Sequence, residues 1–140
     1  MKYKKTEFGY LLKLVQGEEI ITELNELCEK EGIYSGWIHG IGAVESVVLG
    51  FFDVELKSYI REEIDDYFEI VNLMGNIAVL DGKPVLHMHI TIGDHEFGAY
   101  GGHLFSALVS VTAEIFVIPF GNRIERKLDA STGLNLLDIE

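Results

Sequence analysis

The chain has 140 residues, of which 48% are hydrophobic, and its mean hydropathy is +0.20. This length fits one domain with a real core, so we expect a single domain over residues 1–140. Lys and Arg total 11 against 23 Asp and Glu, which gives a net charge of −12 and a pI of about 4.7. Because nucleic-acid affinity begins with basic side chains that neutralise phosphates, this balance disfavours unaided DNA binding and anionic membrane surfaces.

The sequence predicts no targeting segment and no membrane span. The segment Met1–Lys5 is basic, but no long apolar run with a small-residue cleavage site follows it. No stretch approaches the roughly 20 apolar residues that cross a bilayer. The single cysteine, Cys28, cannot form an intrachain disulfide, and we expect it to be a small core residue. We therefore predict a cytoplasmic protein.

The first predicted elements are a strand and a helix. The strand is Phe8–Val15, which is mostly apolar and is followed by Gln16 and Gly17. The acids at positions 18 and 19 suit the start of a helix, and Gly32 suits its end. The apolar residues between them recur at helical spacing and form one stripe: Ile20, Ile21, Leu24, Leu27 and Cys28. A helix with one apolar stripe is expected to pack against a sheet.

After Gly32 the pattern changes to β-rich segments separated by glycine. The predicted strands are Tyr34–Ile38, Ser46–Phe52, Tyr67–Met74, Asn76–Leu80, Val85–Ile92, Glu96–Tyr100 and Leu108–Phe120. Hairpin turns are predicted at 81–82 and 93–94, so neighbouring strands should be antiparallel. The acidic segment 53–69 is predicted to be an exposed excursion, and no element is predicted beyond Phe120. The predicted fold is α+β: a mostly antiparallel sheet of about six to eight strands, packed with one main α-helix as a two-layer sandwich.

Three histidines lie close together in the sequence and are the strongest candidates for chemistry. His87 and His89 are two residues apart in a predicted strand, so their side chains point the same way. His103 follows Gly101 and Gly102, and we predict that these glycines bend the chain so that His103 faces the pair. One such histidine is ordinarily structural. Three with this spacing favour a metal or active site, because three neutral imidazoles leave one position of a tetrahedral zinc, or a similar divalent metal, open.

Two carboxylates are candidates for a supporting role. Glu69 and Glu114 lie in otherwise apolar segments, where a carboxylate needs a partner or a shifted pKa. Either could accept a hydrogen bond from a metal-binding imidazole or serve as a general base, although a structural carboxylate is more common. His95, in a predicted turn, is expected to be exposed and to take no part.

Taken together, these residues resemble the PPC domain, the plants and prokaryotes conserved domain that plant AT-hook nuclear proteins carry. The resemblance runs over nearly the whole chain, and the segments that carry it are Leu12–Glu19, Gly40–Ala43, Phe68–Ile70, Leu73–Ile77, Asp81–Gly82, His87–His89, Tyr100–Leu104 and Thr112–Glu114. Each piece alone is weak, but the spaced set of His-x-His, Gly-Gly-His and Gly-Asn is specific. The resemblance implies a compact α+β domain that forms homotrimers, and a metal ion on His87, His89 and His103 as in some prokaryotic members.

Two features depart from the family pattern. No Arg-Gly-Arg-Pro-type AT hook occurs in the 140 residues, so the chain resembles the stand-alone prokaryotic type and the DNA binding of plant members does not carry over. His39 stands where many relatives have a small hydroxyl residue. It could support the metal site or merely pack, and both interpretations stay open.

Three functions of different classes follow from these observations. The first is a homotrimeric binding module with one metal site per subunit, which recognises a small anionic ligand or a protein partner. The second is a metal-dependent enzyme, a hydrolase or a lyase acting on a small molecule, because a metal with an open position can polarise a carbonyl or phosphoryl oxygen. The third is a DNA-associated regulator, which the net charge and the missing hook both oppose.

Overall fold

The computed structural model describes residues 1–139, which contain one helix and eight strands. The helix is α1 (Ile20–Glu31), and the strands are β1 (Lys2–Thr6), β2 (Gly9–Val15), β3 (Gly36–Asp53), β4 (Ser58–Leu80), β5 (Lys83–Gly93), β6 (Ala99–Pro119), β7 (Arg126–Leu128) and β8 (Asn135–Leu137). Six strands form an antiparallel sheet in the order β1-β2-β6-β3-β4-β5, and β7 pairs with β8 in a separate small sheet. The α+β prediction, with one main helix on a mostly antiparallel sheet, is confirmed.

The predicted helix and its limits are confirmed. The Glu19 carboxylate caps it by accepting hydrogen bonds from the backbone N–H groups of Ile21 and Thr22, and Gly32 ends it in the left-handed region, with φ 66°. The apolar stripe is buried except for Ile21, which is partly buried, and it includes Cys28, whose burial raises the pKa of its thiol to about 12. Within residues 1–139, no helix combines the length and apolar character needed to cross a bilayer.

The sheet curls until its last strand meets an earlier one. Residues 99–103 of β6 pair with β5, and from His103 onward β6 pairs with β3, so that His103 lies opposite both His89 and Gly50. Strands β3, β4, β5 and β6 thereby form a closed ring of pairings. This closure brings β5 and the start of β6 side by side, and it positions the histidines.

The prediction that Gly101 and Gly102 bend the chain is wrong. Both residues lie inside the regular strand β6, and the reversal occurs earlier, in the turn at residues 94–98. A Cβ on Gly101 would lie 3.0 Å from the Ile90 carbonyl oxygen, and one on Gly102 would lie 2.8 Å from that of Gly50. The two glycines are therefore needed because β6 runs very close to both neighbouring strands.

Several strand limits also differ from the predictions. The acidic segment 53–69 is not an excursion, because only residues 54–57 form the turn and β4 begins at Ser58. The predicted strands 34–38 and 46–52 belong to one long strand, β3, and the segments 67–74 and 76–80 both belong to β4. Residues 96–98 of a further predicted strand are in a turn. Strand β1 and the β7–β8 hairpin were not predicted at all.

Candidate metal centre

The three histidines meet on the outer side of the β5–β6 pair. His87 and His89 share one face of β5, and His89 is directly opposite His103 on β6. The Nε2 atoms of His87 and His89 are 3.2 Å apart, and one ring nitrogen from each of the three residues lies within 4.8 Å of the other two. These distances confirm the prediction from the sequence that the three side chains lie close together.

The arrangement fits a divalent metal that prefers nitrogen ligands. Two ligands of a tetrahedral zinc, each at roughly 2.0–2.1 Å from the ion, lie about 3.3 Å apart. The His87–His89 separation of 3.2 Å matches this value, and all three donors lie within 4.8 Å of one another. Three neutral nitrogens without a carboxylate form a donor set that suits zinc and similar borderline ions rather than calcium or magnesium.

His103 is held in an aromatic setting. Its ring packs against those of Tyr59 and Phe105, with centroid distances of 4.8 and 4.7 Å, and these two rings also contact each other at 5.1 Å. The Tyr59 hydroxyl is 3.5 Å from His103 Nδ1, at the outer limit of a hydrogen bond. Burial, together with His87, His89 and Arg61, lowers the pKa of His103 from 6.5 to about 4. The imidazole is therefore neutral at pH 7, the form that binds metals.

His87 is kept neutral in the same way, and Arg126 contributes. Burial lowers the pKa of His87, and the charge of Arg126 lowers it further. Asn76, directly opposite His87 on β4, accepts a 2.6 Å hydrogen bond from Arg126 Nη2. A second hydrogen bond of 2.9 Å joins Nη1 to the Asn135 carbonyl oxygen on β8. The β7–β8 hairpin thus places a guanidinium group beside the histidines.

A cavity of about 200 Å³ adjoins the cluster. His87, His103, Tyr59 and Arg126 form its polar side. The rest of its wall is mostly apolar, and the residues there are Leu80, Val85, Leu86, Leu134, Asn135 and Leu136. A ligand in this cavity would therefore reach two of the three histidines and an arginine at the same time.

The other candidates from the sequence lie elsewhere. Glu69 and Glu114 line a shallow depression together, with Gly42 between their strands, and within residues 1–139 neither carboxylate hydrogen-bonds to one of the three imidazoles. His39 is exposed on β3, next to Met74, which separates it from His89 on β5. A supporting role for these three residues stays a prediction. His95 is exposed in the turn, as expected.

Sequence reasoning did not identify Tyr59, Asn76 or Arg126 as site residues. Tyr59 lies in the acidic segment that resembled a loop, and Arg126 lies beyond the last predicted element. Only Asn76 carried a signal, because the Gly-Asn pair at 75–76 is part of the family resemblance. The structure gives that asparagine a role: it fixes the Arg126 guanidinium.

The closed antiparallel sheet, the single helix and the three clustered histidines define a small α+β domain with a candidate metal centre. The model of the Plants and Prokaryotes Conserved (PCC) domain matches residues 1–121. The chain therefore belongs to this family, the same family that the sequence motifs resemble.

Solved structures support this assignment over the full length. A proposed DNA-binding protein from Bacteroides thetaiotaomicron is 37% identical, with a TM-score of 0.95 and coverage of 98% of this chain and 96% of that one. A metal-containing protein from Archaeoglobus fulgidus is 39% identical, with a TM-score of 0.88 and coverage of 99% and 97%. The bifunctional protein GlmU of a Synechococcus strain is 28% identical over 134 residues, which cover 94% of this chain but only 20% of the length of that curated relative.

Proposed function

We propose that this protein binds one divalent metal ion, zinc or a similar borderline ion, through His87, His89 and His103, and that it acts as a ligand-binding module. The convergence of one ring nitrogen from each of three imidazoles within 4.8 Å carries this proposal. The metal-containing relative from Archaeoglobus fulgidus, which covers nearly the whole chain, supports it. Three ligands leave one position of a tetrahedral ion open toward a ligand.

We also propose that the protein is a homotrimer, the state that the family resemblance implies. Strands β3, β4 and β6 expose apolar side chains on one face of the sheet, and these are Trp37, Ile41, Val71, Met74, Val111, Phe116 and Ile118. An apolar face of this kind on a small domain is typical of a protein–protein interface. His39 lies in the middle of this face, opposite Phe116. Assembly through this apolar face would bury His39, and the role of His39 would then be to pack in the interface.

The alternative function is a metal-dependent enzyme, a hydrolase or a lyase acting on a small molecule. The cavity beside His87 and His103 favours it, because a substrate there could reach the metal. A bound dication would polarise a carbonyl or phosphoryl oxygen of that substrate. The chain's own contribution would be Tyr59, which stands within 3.5 Å of His103, and the charge of Arg126.

Thermal unfolding with and without zinc tests the metal proposal. A metal that binds only the folded state stabilises it by about 2.7 kcal/mol when its free concentration is 100 times Kd. We expect zinc to raise the Tm of chelator-treated protein, and the effect to shrink as the pH falls because protons compete for the same nitrogens. Magnesium at the same concentration is the matched control and should have no effect. An equal Tm with zinc, magnesium and chelator at pH 7 would contradict the proposal.

A further inference from the structure

Two arginines lie near the histidine cluster, although the chain as a whole carries a net charge of −12. Arg126 lies beside His87, and Arg61 packs over the ring of Phe105, with its guanidinium carbon 3.6 Å from the ring centroid. Neither forms an ion pair with a carboxylate of residues 1–139. A dication held by the histidines would add further positive charge at this place.

Arg126 retains the capacity to bind an anion. Its side chain is half-buried, and both of its hydrogen-bond partners, the Asn76 side-chain oxygen and the Asn135 carbonyl oxygen, are neutral. These two contacts use two of the five N–H groups of a guanidinium and leave three free. A partly desolvated guanidinium ordinarily has an anionic partner, because burial of an unpaired charge is costly.

The size and lining of the cavity limit the rest of the ligand. The cavity is a small open depression of about 200 Å³, so the part of a ligand that it contacts is small. The apolar lining residues are Leu80, Val85, Leu86, Leu134 and Leu136. A larger depression of about 750 Å³ lies elsewhere, and none of the three histidines lines it. Its lining includes four acids, which are Glu62, Asp66, Asp94 and Glu96. An anion is therefore expected in the smaller cavity.

We infer that the cavity binds a small carboxylate with a short aliphatic group, whose carboxylate lies between Arg126 and the metal and whose aliphatic part packs on the leucines. This inference rests on the proposed metal site and specifies its ligand. Asn76 and the β7–β8 hairpin act as positioning elements, because they hold the guanidinium toward the histidines. A planar carboxylate can accept hydrogen bonds from a guanidinium and still present an oxygen to a metal.

Calorimetric titration of zinc-loaded protein tests the inference. The probe is isobutyrate, and isobutyramide is the matched neutral compound of the same shape. We expect isobutyrate to bind with one site per chain and the amide to bind at least about tenfold more weakly, since a hydrogen bond to a charged group is worth that factor or more. Inorganic phosphate, which lacks an apolar part, should bind more weakly than isobutyrate.

Variants distinguish the contribution of Arg126 to isobutyrate binding from the contribution of the metal. Arg126→Gln should weaken isobutyrate binding at least about tenfold without lowering the zinc content, and Arg126→Lys should fall between it and the wild type. Arg123→Gln is the matched control, because Arg123 pairs with Glu125 on the exposed surface. The comparison of acid and amide on the wild type tests the inference even if a variant does not fold.

The outcomes distinguish this inference from the metal proposal. Normal zinc content with equal binding of acid and amide, or with no effect of Arg126→Gln, overturns the carboxylate site and leaves the metal centre standing. Tighter binding of phosphate than of isobutyrate also overturns it. Isobutyrate binding that depends on Arg126 but is equally tight in zinc-free protein overturns the inference, because the carboxylate then has no contact with the metal, and it leaves the metal centre standing.

Discussion

His89 and His103 lie directly opposite each other on β5 and β6, although the whole turn at residues 94–98 separates them in the sequence. Their rings are 5.6 Å apart, and His87, two residues before His89, completes the cluster. The site is therefore built on two paired strands of the closed sheet. Donors on rigid strands keep their separation better than donors on loops, which suits a metal centre.

Stability of the metal-free protein should depend on pH through His103. Its folded pKa of about 4 lies below the ordinary 6.5, so as the pH falls through this window the unfolded chain takes up a proton that the folded chain does not. The contribution of His103 to folding stability is therefore lost between about pH 6.5 and 4, and it changes no further below pH 4. Because the ring is only half-buried, we expect a loss of about 1–2 kcal/mol, measured by urea unfolding in chelator.

A matched pair of variants tests whether His103 causes this pH dependence of stability. His103→Phe should pack against Tyr59 and Phe105 and should lose less stability over the same pH window. His95→Phe changes an exposed turn residue and should keep the wild-type dependence. If His103→Phe loses as much stability as the wild type, the aromatic pocket does not hold this histidine neutral.

The histidine cluster could be predicted in part from the sequence. The two-residue periodicity of a strand places His87 and His89 on one face, because successive side chains alternate. His103 was expected nearby for the wrong reason, since the register of β5 and β6 and not a glycine bend brings it there. Register depends on hydrogen bonding between whole strands, which spacing within one segment does not reveal.

Tyr59 and Arg126 could not be predicted because their positions depend on long-range contacts. The first part of β4 is largely exposed and carries acids on both faces, so it lacks the hydrophobic alternation by which a half-buried strand is recognised. The β7 and β8 strands have three residues each, too few for a periodic signal. The helix, by contrast, was predicted to within a residue or two because its stripe, its cap and its final glycine agree.

Substitution of Phe116 by glutamate should disrupt assembly. Phe116 is 51% exposed on the apolar face of β6, so a charge there is tolerated in a monomer but is costly in a dry interface. We expect sedimentation velocity at micromolar concentration to show a trimer for the wild type and a monomer for Phe116→Glu. Phe8→Glu, in the β1–β2 turn, should remain trimeric. A wild type that sediments as a monomer would refute the proposed assembly.

The isolated chain should have no useful affinity for DNA at physiological salt. Neutralising several phosphates with 11 cations among 23 anions would need strong charge segregation. We expect fluorescence anisotropy with an AT-rich duplex to show no submicromolar binding. Binding in that range that weakens steeply with added salt would show that the cations form an effective basic surface.

Metal content, measured by elemental analysis of protein purified without a polyhistidine tag, tests the central claim most directly. We predict about one zinc or similar divalent ion per chain in the wild type and in His95→Ala, and none in His89→Ala. His89 is exposed, so its replacement should leave the fold and the far-UV circular dichroism unchanged. The account is contradicted if the wild type carries no metal, takes up none at neutral pH in excess zinc, and behaves like His89→Ala.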